Sequence, residues 1–179
     1  ADSLSRSQAE VEGRRSVARL AAWARKRVKG AQRIQPVACG GEVAVRESRR
    51  IIGDHVITAA EYVGAAAYPD GVCYSYYPVD LHADGEQTLH NIAVTKDRVP
   101  QIPLSAMLVK GMDNLLAAGR CASGDRLAQS AFRVKASCMA MGQAAGAAAA
   151  LAAGGELREV PVEEIRSLLR AQGAIVPEI

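Results

Sequence analysis

The eighteen residues from Ala136 to Ala153 constrain this chain most: ten are alanine, two are glycine and none is charged. Alanine is the strongest helix former, so the run reads as one long helix. It is long enough to span a bilayer. Alanine is only weakly apolar, however; Ser137 and Gln143 interrupt the run, and Arg133 and Lys135 stand at its mouth. A buried helix of a non-membrane protein is the expectation. Gly142 and Gly146 lie one turn apart on one face and should let the helix lie close against a sheet or another backbone.

Composition sharpens this. Of 179 residues, 49% are hydrophobic and 23% charged, which excludes wholesale disorder. Only 4% are aromatic, so the core must come from Ala, Val, Ile and Leu. The net charge of +3 is uneven. Residues 1–35 hold nine Lys/Arg against Asp2, Glu10 and Glu12, which is +6 and leaves −3 for the rest. Ser7-Gln8-Ala9-Glu10 has the form of a capping box. Val17, Leu20, Ala21, Ala24 and Val28 follow at helical spacing, with Gly30 as a stop. The pattern predicts a basic amphipathic helix over about 8–29. No aromatic residues interleave with its cations and no base-reading motif follows, so no nucleic-acid partner is expected. The four Cys are widely spaced, with no Cys-x-x-Cys pair, so no metal site is expected. With no signal peptide either, the expectation is reduced thiols and a cytoplasmic location.

Residues 36–80 change character, and strand-like pieces recur from 91 onward. Val43-Ala44-Val45 predicts a short strand and leads into Arg46-Glu47-Ser48-Arg49-Arg50-Ile51-Ile52-Gly53. Thr58-Ala59-Ala60-Glu61 predicts a capped helix near 59–67. Tyr68, Tyr74, Tyr76 and Tyr77 crowd together, and Pro78-Val79-Asp80-Leu81-His82 follows. Residues 83–90 read as a loop. Val99–Leu104 contains Pro100 and Pro103 and belongs at an edge. Met107-Leu108-Val109 precedes a turn at Lys110-Gly111. His55 and His90 read as surface residues.

The chemistry concentrates at 114–153. Asn114–Ala118 predicts a buried strand ended by Gly119-Arg120, followed by a loop over 121–132 and the alanine-rich helix. A last helix is predicted over Val162–Gln172. Gly119 allows close backbone approach to a ligand. Arg120 at a strand end, Arg133, Lys135 and the helix N-terminus together make an anion site. Phosphate, a carboxylate and the electron-rich edge of a reduced flavin all fit it. A packing unit with incidental Arg fits as well.

Four segments then carry a resemblance. Asn114–Ser123 resembles "NLLVAGRCIS", and Arg133–Gly146 resembles "RVMPTCMAMGQAAG", both of a family of FAD-dependent oxidoreductases. Arg46–Gly53 matches "RESRRIxG" and Tyr77–His82 matches "YPVDIH", in the same order, over about residues 7–175. The resemblance implies FAD as cofactor. It implies that backbone at Gly119 and Arg120 faces the ribityl–pyrophosphate part. It further implies that the helix start near Val134–Ser137, with Val134, Ala136 and Ser137, faces the pyrimidine edge of the isoalloxazine, where the helix N-terminus and Arg133 would stabilise the negative charge of a reduced flavin. The sequence departs from the pattern at Leu104-Ser105, where Tyr-Arg is usual, and at Lys135-Ala136, where Met-Pro is usual. It also has no Gly-x-Gly-x-x-Gly fingerprint.

The resulting expectation is an α/β architecture, α+β if the chain is taken alone. It would be the C-terminal part of a Rossmann-like FAD-binding flavoprotein. The division is a basic helix at 1–35, a substrate or cap portion at 36–113, the end of the FAD domain at 114–153, and a helix and tail at 154–179. An N-terminal FAD-binding part is the expected partner, and the chain alone is expected to be incomplete and inactive. Hydride would pass between a small organic substrate and the flavin. Substrate-side candidates are Arg46, Arg49 and Tyr77, with Asp80 and His82 handling a proton. Their structural alternative is an Arg–Glu network using Glu47 and a Pro78 turn capped by Asp80. The alternative for the whole chain is an inactive fragment or interaction module that binds no FAD alone, with exposed apolar surface that invites a homodimer.

Overall fold

A computed structural model describes residues 2–47, 49–82, 89–95 and 97–178, with backbone only at 82 and 89–91. The chain divides into two compact units, Ala1–Ser48 and Arg49–Ile179.

The first unit is built on helix α1, Ser3–Arg27. Its cap is Asp2, whose carboxylate accepts from the Ser5 N–H at 2.8 Å. The predicted box at Ser7 is not used, because the helix is already a turn old there; the Ser7 hydroxyl donates to the Ser3 carbonyl at 3.0 Å. Arg25, Lys26 and Arg27 fill the last turn, where cations suit the helix dipole. The chain leaves at Val28 and turns through Gly30, at φ +88°. The amphipathic pattern does not become a buried face. Ala21 is the one buried residue of α1, and Leu4, Val11, Leu20 and Trp23 are exposed. The return stretch is tied to α1 by polar contacts: Arg6 pairs with Glu42, and Arg25 Nε donates to the Ile34 carbonyl at 2.9 Å. Val43–Val45 forms no strand.

The second unit begins with α2, Ala59–Val63, opened by the predicted capping box. Thr58 Oγ1 accepts from the Glu61 N–H at 3.3 Å, and the Glu61 carboxylate accepts from the Thr58 N–H at 2.8 Å. The helix stops short of residue 67 because Ala65 turns left-handed, at φ +49°. The Ala65 N–H then donates to Tyr62 and the Ala66 N–H to Glu61, a Schellman-type ending. Four strands follow: β1 (Gly71–Tyr74), β2 (Val79–His82), β3 (Leu89–Ile92) and β4 (Gln101–Pro103). β1 pairs antiparallel with β4, and β2 antiparallel with β3. Residues 89–90 therefore belong to a strand and not to the predicted loop; the rest of that loop, 83–88, lies outside the described residues. Pro100 precedes β4 and Pro103 ends it, and β4 is an edge of a two-stranded sheet as their missing N–H groups require.

Two predictions for the next stretch fail. Asn114–Ala118 is not a buried strand: Asn114 and Leu115 are exposed, and Leu116 forms only an isolated bridge to Leu108. The Asn114 side chain instead accepts from the Leu157 N–H at 3.1 Å. Residues 121–132 are not all loop, because α3 spans Arg126–Phe132. Asp125 caps it, accepting from the Ala128 N–H at 2.7 Å. The predicted long helix is α4, Lys135–Leu151, and the last helix is α5, Val162–Ala171.

The core draws on every part of the second unit. Ile57, Tyr62, Val72, Ile102, Met107, Phe132, Met141 and Ile165 are all essentially inaccessible. Each such side chain contributes about 1.5–3 kcal/mol of burial free energy. α4 faces this core with Met141, Ala144 and Ala148. Gly142 and Gly146 point away, with nothing near enough to touch an added Cβ. The close-approach expectation for them is reversed, since the 3.6-residue period places 141, 144 and 148 on a different face from 142 and 146. The guanidinium of buried Arg166 ties α5 to the start of β1, donating to the carbonyls of Gly71 at 2.8 Å and Pro69 at 2.9 Å.

The described residues thus form helices with two small antiparallel sheets, the α+β mix expected of the chain taken alone. They contain no parallel doubly wound sheet. No helix among them is long and apolar enough to cross a membrane.

Candidate functional site

The site is built where β1 and the segment after it meet the first turn of α4. The N-cap of α4 is Val134, which has extended backbone and no capping side chain. The first-turn amides, Lys135 to Ser137, have no intrahelical acceptor, so they carry the positive end of the helix dipole. Ser137 is buried and its hydroxyl lies 2.7 Å from that of Ser75. The Ser75 hydroxyl lies 2.9 Å from Tyr62 Oη. Tyr62 Oη can in turn donate to the Ser75 carbonyl at 2.9 Å or the Tyr77 carbonyl at 3.1 Å. Burial pushes the Tyr62 phenol above its ordinary value, against the opposing effect of these hydrogen bonds.

A cleft of about 900 Å³ opens beside this turn. Its size is that of a small-molecule site. Val72, Tyr74, Val134, Ala136, Ser137 and Met139 are among the residues that line it. The walls are mostly apolar, with Ser137 and Gln143 as the polar side chains that α4 brings to them. The Cys73 thiol also borders the cleft, and burial pushes it up to about 12, so it stays a thiol at neutral pH.

Of the predicted cofactor residues, Val134, Ala136 and Ser137 border the cleft. Gly119 is in the left-handed region, at φ +75°, on a 3₁₀ turn that packs against α4. A Cβ there would meet Cys138 Sγ at 3.5 Å, so this turn sits against the helix mouth. Arg120 is exposed on that turn, and its carbonyl accepts from the Gln129 amide at 3.2 Å. Arg133 is half-buried and donates to the Asp80 carbonyl at 3.0 Å, so its guanidinium ties β2 to the α3–α4 junction.

The substrate-side candidates are only partly gathered. Tyr77 and Asp80 lie on one stretch of chain, and the side chain of His82 lies outside the described residues; the Asp80 N–H also donates to Ser130 Oγ at 3.2 Å. Arg49 is exposed, two residues before Ile51, whose N–H donates to the Cys121 carbonyl at 2.8 Å. Arg46 is an exposed residue of the first unit. His55 is not the surface residue expected. It is half-buried, with Nε2 3.2 Å from Glu61 and its ring edge-on to Tyr68. For Glu61, burial raises the carboxyl, but hydrogen bonds from Thr58 and the nearby His55 carry it below its ordinary value.

Tyr62 and Ser75 are the polar residues of this site that the sequence did not disclose. Tyr62 sits inside a predicted helix, but nothing in its spacing points to Ser75 or Ser137. A family model described as FAD dependent oxidoreductase matches residues 1–169. Neither the curated proteins nor the solved structures contain a match.

Proposed function

The chain belongs to the FAD dependent oxidoreductase family, and we propose that its second unit supplies one wall of the flavin site, at the first turn of α4. The observation that carries this reading is the uncapped N-terminus of α4 opening on a largely apolar cleft. The residues present suit an isoalloxazine. The first-turn amides of α4, where Ala136 and Ser137 border the cleft, would donate to its electron-rich edge. Val72, Val134 and Met139 would pack on its rings and keep water out. FAD, when bound, would supply hydride exchange with a carbon of a small organic substrate. On the substrate side we assign proton handling to Asp80 and His82 and a carboxylate contact to Arg49. Gly119 would let backbone come near the ribityl–pyrophosphate part, with Arg120 adding charge.

The ADP half of the cofactor needs a Gly-x-Gly-x-x-Gly turn on a Rossmann-like sheet. This sequence lacks that motif, and we assign it to a segment outside these 179 residues. FAD titration followed by flavin absorbance tests the reading. The chain should shift the isoalloxazine spectrum weakly, and a tight yellow complex should form once the fingerprint segment is supplied. A chain that perturbs neither FAD nor the bare isoalloxazine would leave the interaction-module alternative standing. In the complex, Arg133→Ala should lower the flavin potential by about 20–40 mV through loss of one nearby charge. An unchanged potential would restrict Arg133 to holding Asp80.

A further inference from the structure

The buried hydroxyls of Tyr62, Ser75 and Ser137 are joined end to end, and each has one proton to give. Tyr62 Oη has two backbone carbonyls in reach, those of Ser75 and Tyr77, and a carbonyl only accepts. All three contacts are made at once only when the Tyr62 proton goes to a carbonyl. Tyr62 can then meet the Ser75 hydroxyl only as acceptor, so Ser75 gives its proton to Tyr62. Ser75 meets Ser137 only as acceptor in turn, so Ser137 gives its proton to Ser75. At the end of this chain, the Ser137 oxygen has lone pairs to offer and no proton left. The neighbouring amides of Lys135 and Ala136, on the same turn, have only protons to offer.

We propose that Tyr62 and Ser75 are positioning residues that hold Ser137 Oγ as a hydrogen-bond acceptor toward the cleft. The first turn of α4 then presents donors beside an acceptor. That pattern complements a ligand edge in which a carbonyl adjoins an N–H, as in a cyclic imide. A carboxylate or a phosphodiester has no proton for Ser137 and fits less well. This deepens the flavin reading above and rests on it.

The test uses lumiflavin and its N3-methylated analogue, titrated against the 179-residue chain and its variants by flavin fluorescence. The wild-type chain should prefer the N–H form by about 3- to 10-fold, the worth of one net hydrogen bond. Ser137→Ala should abolish the preference, and Ser137→Thr should restore it. Tyr62→Phe retains the ring that packs near Phe132. It frees the Ser75 proton to turn toward Ser137, so it too should abolish the preference, as should Ser75→Ala. The ratio is insensitive to general loosening, which weakens both ligands alike. A preference that persists in Ser137→Ala would be steric and would overturn the assignment. So would equal binding of both flavins by the wild type, or an unchanged ratio in Tyr62→Phe and Ser75→Ala. A wild-type chain that binds neither flavin would overturn the flavin reading, and this assignment with it.

Discussion

Helices α1 and α2 reach stability by opposite means. α1 has 25 residues and buries one of them, Ala21. α2 has five residues and buries Tyr62 to 1% exposure. A 25-residue helix is beyond the length of about 12–15 residues at which an isolated helix becomes tenable, so caps and local charge pairs can sustain it. A five-residue helix is far below that length. It exists because Tyr62 is anchored in a core and because Thr58 and Glu61 close its first turn. Helix α1 is thus sustained mainly by local forces, and α2 by contacts distant in sequence.

The largest test of this contrast compares the big aromatic side chains of the two units. Phe132 is fully buried, whereas Trp23 is 56% exposed. Phe132→Ala should lower unfolding free energy by about 3–5 kcal/mol. Trp23→Ala should change it by no more than about 0.5 kcal/mol. Urea denaturation followed by circular dichroism measures both, and similar losses would break the comparison.

The glycines give a smaller effect of either sign. A Cβ at Gly53 would lie 2.8 Å from Ser123 Cβ and 2.9 Å from the His55 and Ser105 carbonyls. Gly53→Ala should therefore cost about 1–3 kcal/mol. Gly146, on the outer face of α4, has open space around it. Gly146→Ala should stabilise by about 0.5–1 kcal/mol, the difference in helix propensity. Thermal midpoints of the two variants should move in opposite directions, and a loss in both would mean that the outer face of α4 is in contact after all.

The caps give the smallest effect. Thr58→Ala should cost about 1 kcal/mol, the usual value of an N-cap. Glu61 titrates below the ordinary carboxylate value of 4.5, so it favours the folded state above that pH. Its contribution should fade as pH drops through the lower, folded-state value. Glu61→Gln should flatten the stability profile in that acid window only. Asp2 also titrates below its ordinary value, held down by the Ser5 backbone and hydroxyl, but it caps an exposed helix. Asp2→Ala should fray α1 with no shift of the global midpoint. A midpoint shift equal to that of Thr58→Ala would erase the distinction between the units.

Much of the local architecture could be read from the residues in order. The Thr58 box, the Gly30 turn, the prolines around β4 and the helices at 135–151 and 162–171 all follow from signals within a few residues of one another. The same kind of signal existed for α3, in Asp125 followed by Leu127, Ala128, Ala131 and Phe132, but its small polar neighbours masked it. The family was legible too, because it rests on four short segments in order. What the order of residues left open was which face of a helix turns inward and which distant groups meet. Gly142 and Gly146 read as a packing face, yet the core claims Met141, Ala144 and Ala148, because larger side chains bury more area. Asn114–Ala118 is apolar enough for a strand, yet the Asn114 side chain is committed to the Leu157 N–H. Tyr62, Ser75 and Ser137 are separated by 13 and 62 residues and become neighbours only when α2, the segment after β1 and α4 pack together. Capping and propensity act over one turn and are written in sequence. Hydroxyl contacts across a core depend on which elements pack, and only the tertiary structure decides that.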